Sequence, residues 1–88
     1  MVYAVAFTQE GLQSLTKVDR VIAQRILRKV RWLADHFDDV TPEALTDPWR
    51  GAFKLRVGDY RAIYTVDQDK AIITVHLVGH RREVYRPR

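Results

Sequence analysis

Cysteine is absent from this chain. That excludes a disulfide framework or a thiolate metal site and makes a reducing compartment, the cytoplasm, the expected location. Long apolar runs are missing too. Nothing in the sequence approaches the roughly 20 residues that cross a bilayer, and Met1–Phe7 lacks the basic-then-apolar order of a secretion signal. Four glycines and three prolines are too few for a fibrous or low-complexity chain. The three histidines, His36, His76 and His80, stand at no recognisable zinc spacing, so no metal and no cofactor is expected. What remains is 88 residues, 47% hydrophobic and 30% charged. Such a chain is expected to form one globular domain spanning 1–88, with most of its apolar side chains inside.

The net charge of +4 is unevenly placed. Residues 1–49 hold six Lys/Arg against seven Asp/Glu, a net of −1, while residues 50–88 hold nine against four, a net of +5. A basic C-terminal half attracts polyanions such as RNA or DNA through phosphate contacts and counterion release.

Tyr3–Phe7 reads as a strand, and Thr8 as the N-cap of a short helix with Leu12 and Leu15 on one side. Thr16 and Asp19 resemble a capping box that opens a longer helix. There Val18, Ile22, Ile26, Val30, Leu33 and Phe37 recur at spacings of four and three, which predicts one buried stripe. Arg20, Gln24, Arg28, Arg31 and Asp35 fall opposite it. Pro42, Pro48 and Gly51 make residues 38–51 a loop, with a short helical turn expected from Thr41 to Leu45. Three strands follow at 53–57, 60–66 and 71–78, joined by turns at Gly58-Asp59 and Asp67–Asp69. The order β-α-α-β-β-β predicts an α+β fold, a helical hairpin packed on an antiparallel sheet.

Strand alternation then distributes the charges. If Phe53, Leu55 and Val57 face the helices, Lys54 and Arg56 face away. Tyr60, Ala62, Tyr64 and Val66 form the buried set of the next strand, leaving Arg61 outward with Ile63 and Thr65. In the third strand Ile73, Val75 and Leu77 point inward, with Thr74 and His76 outward. Gly79 ends or bulges that strand, so parity does not fix His80 and Arg81. Lys54, Arg56, Arg61, His80 and Arg81 can thus converge on an open sheet face, a natural seat for RNA.

YAVAFT at the start, the two-helix segment, KLRVGDYRAIYTV at 54–66 and VGHRREVY at 78–85 together resemble the RelE-like toxins of bacterial toxin–antitoxin pairs, within the RelE/ParE superfamily. The resemblance covers essentially the whole chain. It implies a RelE-like sandwich and a RelB-like antitoxin partner that neutralises the toxin. For the RelE branch it implies metal-independent cleavage of mRNA, usually on the ribosome; for the ParE branch, non-enzymatic inhibition of DNA gyrase. Lys54, Arg56, Arg61, Arg81 and Tyr85 match the functional basic and aromatic positions of RelE nucleases, and His80 matches a histidine of several members. Ala52 departs from the pattern, because the fullest catalytic sets carry a second lysine there. That departure also keeps open a nucleic-acid-binding member with weakened catalysis.

Metal-free RNA cleavage needs a base to take the 2′-hydroxyl proton, cations to stabilise the phosphorane, and an acid to protonate the leaving 5′-oxygen. Arg61 and Arg81 suit the cationic role because guanidinium stays charged and grips phosphate with a fork of donors. Lys54 is the candidate base. Deprotonating an unperturbed lysine at pH 7 costs about 4–5 kcal/mol, at about 1.36 kcal/mol per pH unit, a cost that neighbouring cations lower. Histidine side chains in general exchange protons without such help, so His80 is assigned as acid or base. Tyr85 completes the catalytic set, stacking on a substrate base or donating from its phenol. Arg56, Arg82 and Arg86 supply phosphate affinity for the substrate.

Overall fold

A computed structural model describes residues 2–85. The elements in order are β1 (Ala4–Phe7), α1 (Gln9–Thr16), α2 (Arg20–Asp35), a 3-10 turn (Phe37–Asp39), β2 (Glu43–Ala44), β3 (Phe53–Val57), β4 (Tyr60–Asp67), β5 (Ile72–His80) and α3 (Arg81–Val84). The five strands form one mixed sheet in the order β1-β5-β4-β3-β2. β1 runs parallel to β5, while the other pairings are antiparallel. The alternation of β-strand and helix periods thus gives the expected α+β architecture, with two additions. Thr41–Leu45 is not a helical turn, because Glu43 and Ala44 pair with Lys54 and Phe53 as a two-residue edge strand. A short helix also follows β5.

Capping sets the helix starts. Thr8 Oγ1 accepts from the Gly11 amide at 2.9 Å and opens α1. Asp19, not Thr16, caps α2, its carboxylate accepting from the Val21 amide at 3.1 Å. Thr16 instead ends α1 and turns its hydroxyl back to the Gln13 carbonyl. The shorter Asp cannot complete a box from N3, so it caps the helix itself. Most of the α2 stripe is buried: Ile26, Val30 and Leu33 are closed off with Ala34 beside them, Ile22 is half-buried, Val18 lies ahead of the helix, and Phe37 continues the stripe into the 3-10 turn. Each fully buried aliphatic of this kind contributes about 1.5–3 kcal/mol. On α1 Gly11 and Leu15 are buried. Leu12 lies outward at 54% exposure, because Gly11 is the residue pressed on the sheet. A Cβ on Gly11 would run into the Val75 carbonyl.

The main core lies between the helices and one sheet face, gathering Leu55, Ala62, Tyr64, Ile73, Val75 and Val78 under α2 and Leu15. The other face is less open than alternation suggests. Ile63, Leu77, Ala52 and Val84 form a second, smaller cluster there, with Leu45 and Trp49 against it. Leu77 reaches that face through a bulge. Val75 pairs with Tyr64 but Leu77 with Ile63, so His76 is the extra residue. The bulge sits three residues before Gly79, where it was expected. α1 ties it down from both sides: the Thr8 amide donates to the Val75 carbonyl at 3.0 Å, and Ser14 Oγ accepts from the Val78 amide at 2.9 Å.

Candidate functional site

β3 and β4 deliver the basic residues as alternation predicts. Phe53, Leu55 and Val57 join the helix-side core, which leaves Lys54 and Arg56 on the opposite face. Arg61 is the direct cross-strand partner of Arg56. Two like charges directly opposite repel, and the structure parts them. Arg56 turns to the edge strand, where its Nη2 is 3.2 Å from Glu43 Oε2. Arg61 folds back over the β3–β4 turn and donates from Nη1 to the carbonyls of Gly58 and Tyr60, both at 2.8 Å. Carbonyls orient this guanidinium without neutralising it. Arg61 therefore keeps a full charge for a phosphate.

The same turn positions Arg81. Its amide donates to the Asp59 carbonyl at 2.8 Å, and its Nε lies 4.0 Å from Asp59 Oδ1. The start of α3 is thereby fastened to the turn that holds Arg61. One helical turn later comes Tyr85, exposed at 40%, with Lys54 Nζ lying 5.9 Å from its ring centroid. Lys54, Arg56, Arg61, Arg81 and Tyr85 thus gather around the β3–β4 end of the sheet.

His80 does not join them. The bulge shifts its register so that it pairs with Tyr60, a helix-side residue. Its ring meets Tyr60 edge-on at 5.5 Å. Nδ1 accepts from the Arg82 amide at 3.2 Å, making His80 the N-cap of α3. It borders a polar recess with Ser14, Lys17, Asp19 and Glu83. The expected convergence on the open face therefore fails for His80, and the cause is the one-residue slip at His76. Arg82 is exposed beside it. Arg86 lies outside the described residues.

One site residue carries no signal in the sequence. Glu43, on the two-residue strand β2, stands directly across from Lys54. Its Oε2 lies 3.7 Å from Lys54 Nζ as well as 3.2 Å from Arg56 Nη2. Its field also reaches the core: burial, and secondarily the Glu43 charge, push the Tyr64 phenol up to about 12. Ala52, where a second lysine was sought, is buried in the smaller apolar cluster. No group of three or more His, Cys, Asp or Glu side chains suited to a metal ion occurs among the described residues. Nor is any described helix long and apolar enough to cross a membrane. The arrangement can bind a phosphodiester, and it sets a carboxylate and an ammonium beside it.

Comparison with known proteins places this geometry. The family model for the ParE toxin of the type II toxin–antitoxin system parDE matches residues 5–85. A RelE-like toxin protein of Escherichia coli is 30% identical, the match covering 92% of this chain and 85% of that one. Toxin RelG of Mycobacterium tuberculosis is 34% identical, covering 98% and 99%. Among solved structures, the RelBE2 toxin–antitoxin complex of M. tuberculosis superposes with a TM-score of 0.80 at 25% identity, covering 91% of this chain and 99% of that chain. Isolated E. coli RelE gives 0.74 at 18% identity over 90% and 84%, a likeness of fold. The chain therefore belongs to the RelE/ParE superfamily and is a toxin of a type II toxin–antitoxin system.

Proposed function

We propose that this toxin is an endoribonuclease that cleaves mRNA on the ribosome and so arrests translation in the cytoplasm. The observation that carries the reading is the Arg61 guanidinium, aimed by two backbone carbonyls, without a carboxylate partner among the described residues, and on the sheet face that also carries Lys54 and Arg56. The ribose 2′-oxygen attacks the adjacent phosphorus as its proton passes to the Glu43 carboxylate. Arg61 and Arg81 hold the non-bridging oxygens of the phosphorane. The bond from phosphorus to the 5′-oxygen then breaks, and the Lys54 ammonium protonates that oxygen. A phosphodiester seated between Glu43 and Lys54 separates the pair and puts one group at each oxygen. This assignment replaces Lys54 as base, since a carboxylate takes a proton without first having to lose one. It needs no metal. The products are a 2′,3′-cyclic phosphate and a 5′-hydroxyl. Tyr85 stacks on a substrate base, while Arg56, Arg82 and Arg86 add phosphate affinity. His80, turned to the helix side, orders α3 and hence Arg81.

A RelB-like antitoxin is the proposed protein partner. The matched structures include the toxin–antitoxin complex RelBE2 of M. tuberculosis and the RelE–RelB complex of Pyrococcus horikoshii OT3. A second reading, non-enzymatic inhibition of DNA gyrase, is favoured by the ParE description of the matching family and by the apolar Ala52. Primer extension on a translated message separates the two. New 5′ ends with the wild type and none with Arg61→Ala support cleavage. Blocked gyrase supercoiling without new 5′ ends contradicts it.

A further inference from the structure

Across the sheet from the cations lies a recess of different chemistry. Trp49 and His76 line it together with Thr8, Gln9, Glu10 and Gln13 from the start of α1. His76 is the extra residue of the β5 bulge, and bulges re-aim side chains in this way. Its ring turns to the face of Thr65, where Thr65 Oγ1 and His76 Nε2 share a hydrogen bond at 2.8 Å. Nδ1 has no hydrogen-bond partner among the described residues. Trp49 is half-buried: it packs on the cluster of Ala52, Ile63, Leu77 and Val84 and leaves part of its surface to the recess. Gln9 and Gln13 are exposed, and neither side-chain amide forms a hydrogen bond within the described residues. An aromatic surface beside free donors and acceptors is what a nucleobase binds, by stacking and by its edge.

We infer that this recess reads one base of a single-stranded RNA, and so sets the sequence preference of the toxin. The inference takes its ligand class from the ribonuclease reading but stands on a separate set of residues. A base, not a phosphate, is the ligand because no Lys or Arg lines the recess and its one formal charge is the Glu10 carboxylate. The recess and the cleavage site share a floor. Lys54 stands across from Ile63, and Ile63 across from Leu77. Ile63, Leu77 and Val84 support Trp49, and Val84 is followed directly by Tyr85. Two strand spacings of about 4.8 Å each separate Lys54 from Leu77, and the recess lies on the α1 side of β5. The bases of the two nucleotides flanking the cut do not reach that far. The base read there therefore belongs to a nucleotide outside that pair, stacked on Trp49 and selected by His76 and the glutamine amides.

The test uses full-length toxin carrying Trp32→Phe, which leaves Trp49 as the sole tryptophan. Its fluorescence is followed as pentaribonucleotides of A, C, G or U, or an abasic pentamer, are added. Stacking should quench Trp49, and the base-bearing pentamers should bind at least about 5-fold more tightly than the abasic one. The preferred base should outbind the weakest by about 5–10-fold. In the same background, Gln13→Ala, at an exposed position where alanine favours the helix, should lower that ratio by about 2-fold or more. His76→Ala should lower it in the same way. On a translated message, mapped 5′ ends from the wild type should show the same base favoured at one position outside the pair flanking the cut, and Gln13→Ala should level it. Unquenched Trp49, equal affinity for abasic and base-bearing pentamers, or a base preference unchanged by both Gln13→Ala and His76→Ala overturns the inference. Failure of the wild type to cut mRNA, with base-selective quenching intact, overturns only the ribonuclease reading.

Discussion

Replacing Glu43 by glutamine removes a charge while keeping the shape of the edge strand. The effect on stability should be small. Glu43 meets Lys54 and Arg56 at 3.7 and 3.2 Å, but Glu43 and Arg56 are about half exposed, and such pairs are worth about 0–1 kcal/mol. A shift in the urea midpoint equivalent to at most about 1 kcal/mol is expected. Catalysis should respond on another scale, because a positioned proton acceptor contributes roughly 10²–10⁴-fold. Substrate affinity should move the opposite way, since two cations lose their internal anion and become available to phosphate. Single-turnover cleavage of ribosome-bound message over a range of toxin concentrations separates the terms. The expected Glu43→Gln result is a fall in maximal rate of about 10²-fold or more together with tighter binding. An unchanged rate with tighter binding would refute the proton-transfer role and leave Glu43 as a counter-ion only.

Other consequences are as direct. The Tyr64 phenol is raised from 10.0 to about 12, chiefly by burial, so its contribution to stability is complete below pH 10 and disappears as pH rises through about 12. Alkaline unfolding should therefore show a loss of roughly 2–3 kcal/mol over that window, reduced in Tyr64→Phe; identical profiles would contradict it. Ser14→Ala strips the Val78 amide of its acceptor at the bulge, an unsatisfied buried group that costs about 1–3 kcal/mol. Chemical denaturation measures this, and a change below about 0.5 kcal/mol would mean the bulge holds without α1. Asp59→Ala removes the carboxylate beside Arg81 but not the carbonyl that anchors the start of α3. Cleavage should fall only a few-fold, and a loss as deep as that of Arg61→Ala would show that the side chain, not the turn, positions the site.

Much of this molecule was legible in its sequence because two periodicities dominate it. The stripe from Ile22 to Phe37 found its face by the helical repeat, and Lys54, Arg56 and Arg61 found theirs by strand alternation. Recognition of LRVGDYRAIY and VGHR then supplied the family. What escaped has a common cause: it depends on register, not on residue type. Val75-His76-Leu77 reads as plain alternation, yet one slipped residue sends Leu77 to the far face and His80 back toward Tyr60. A two-residue strand has no period to detect, so Glu43 fell inside the helical turn expected from Thr41 to Leu45. Leu45, Trp49, Ala52 and Val84 are scattered along the chain and become a cluster only once β4 and β5 provide their floor.

The central claim is that the ribose 2′-hydroxyl is the nucleophile, with Arg61 gripping the phosphate it attacks. A ribosome-bound message cut by the toxin, compared with the same message carrying one 2′-deoxynucleotide at the cut position, tests it most directly. The account predicts a 2′,3′-cyclic phosphate end on the first and no cut at that position on the second, with Arg61→Ala cutting neither. Cleavage of the deoxy-substituted message, or none of either by the wild-type toxin, would contradict it.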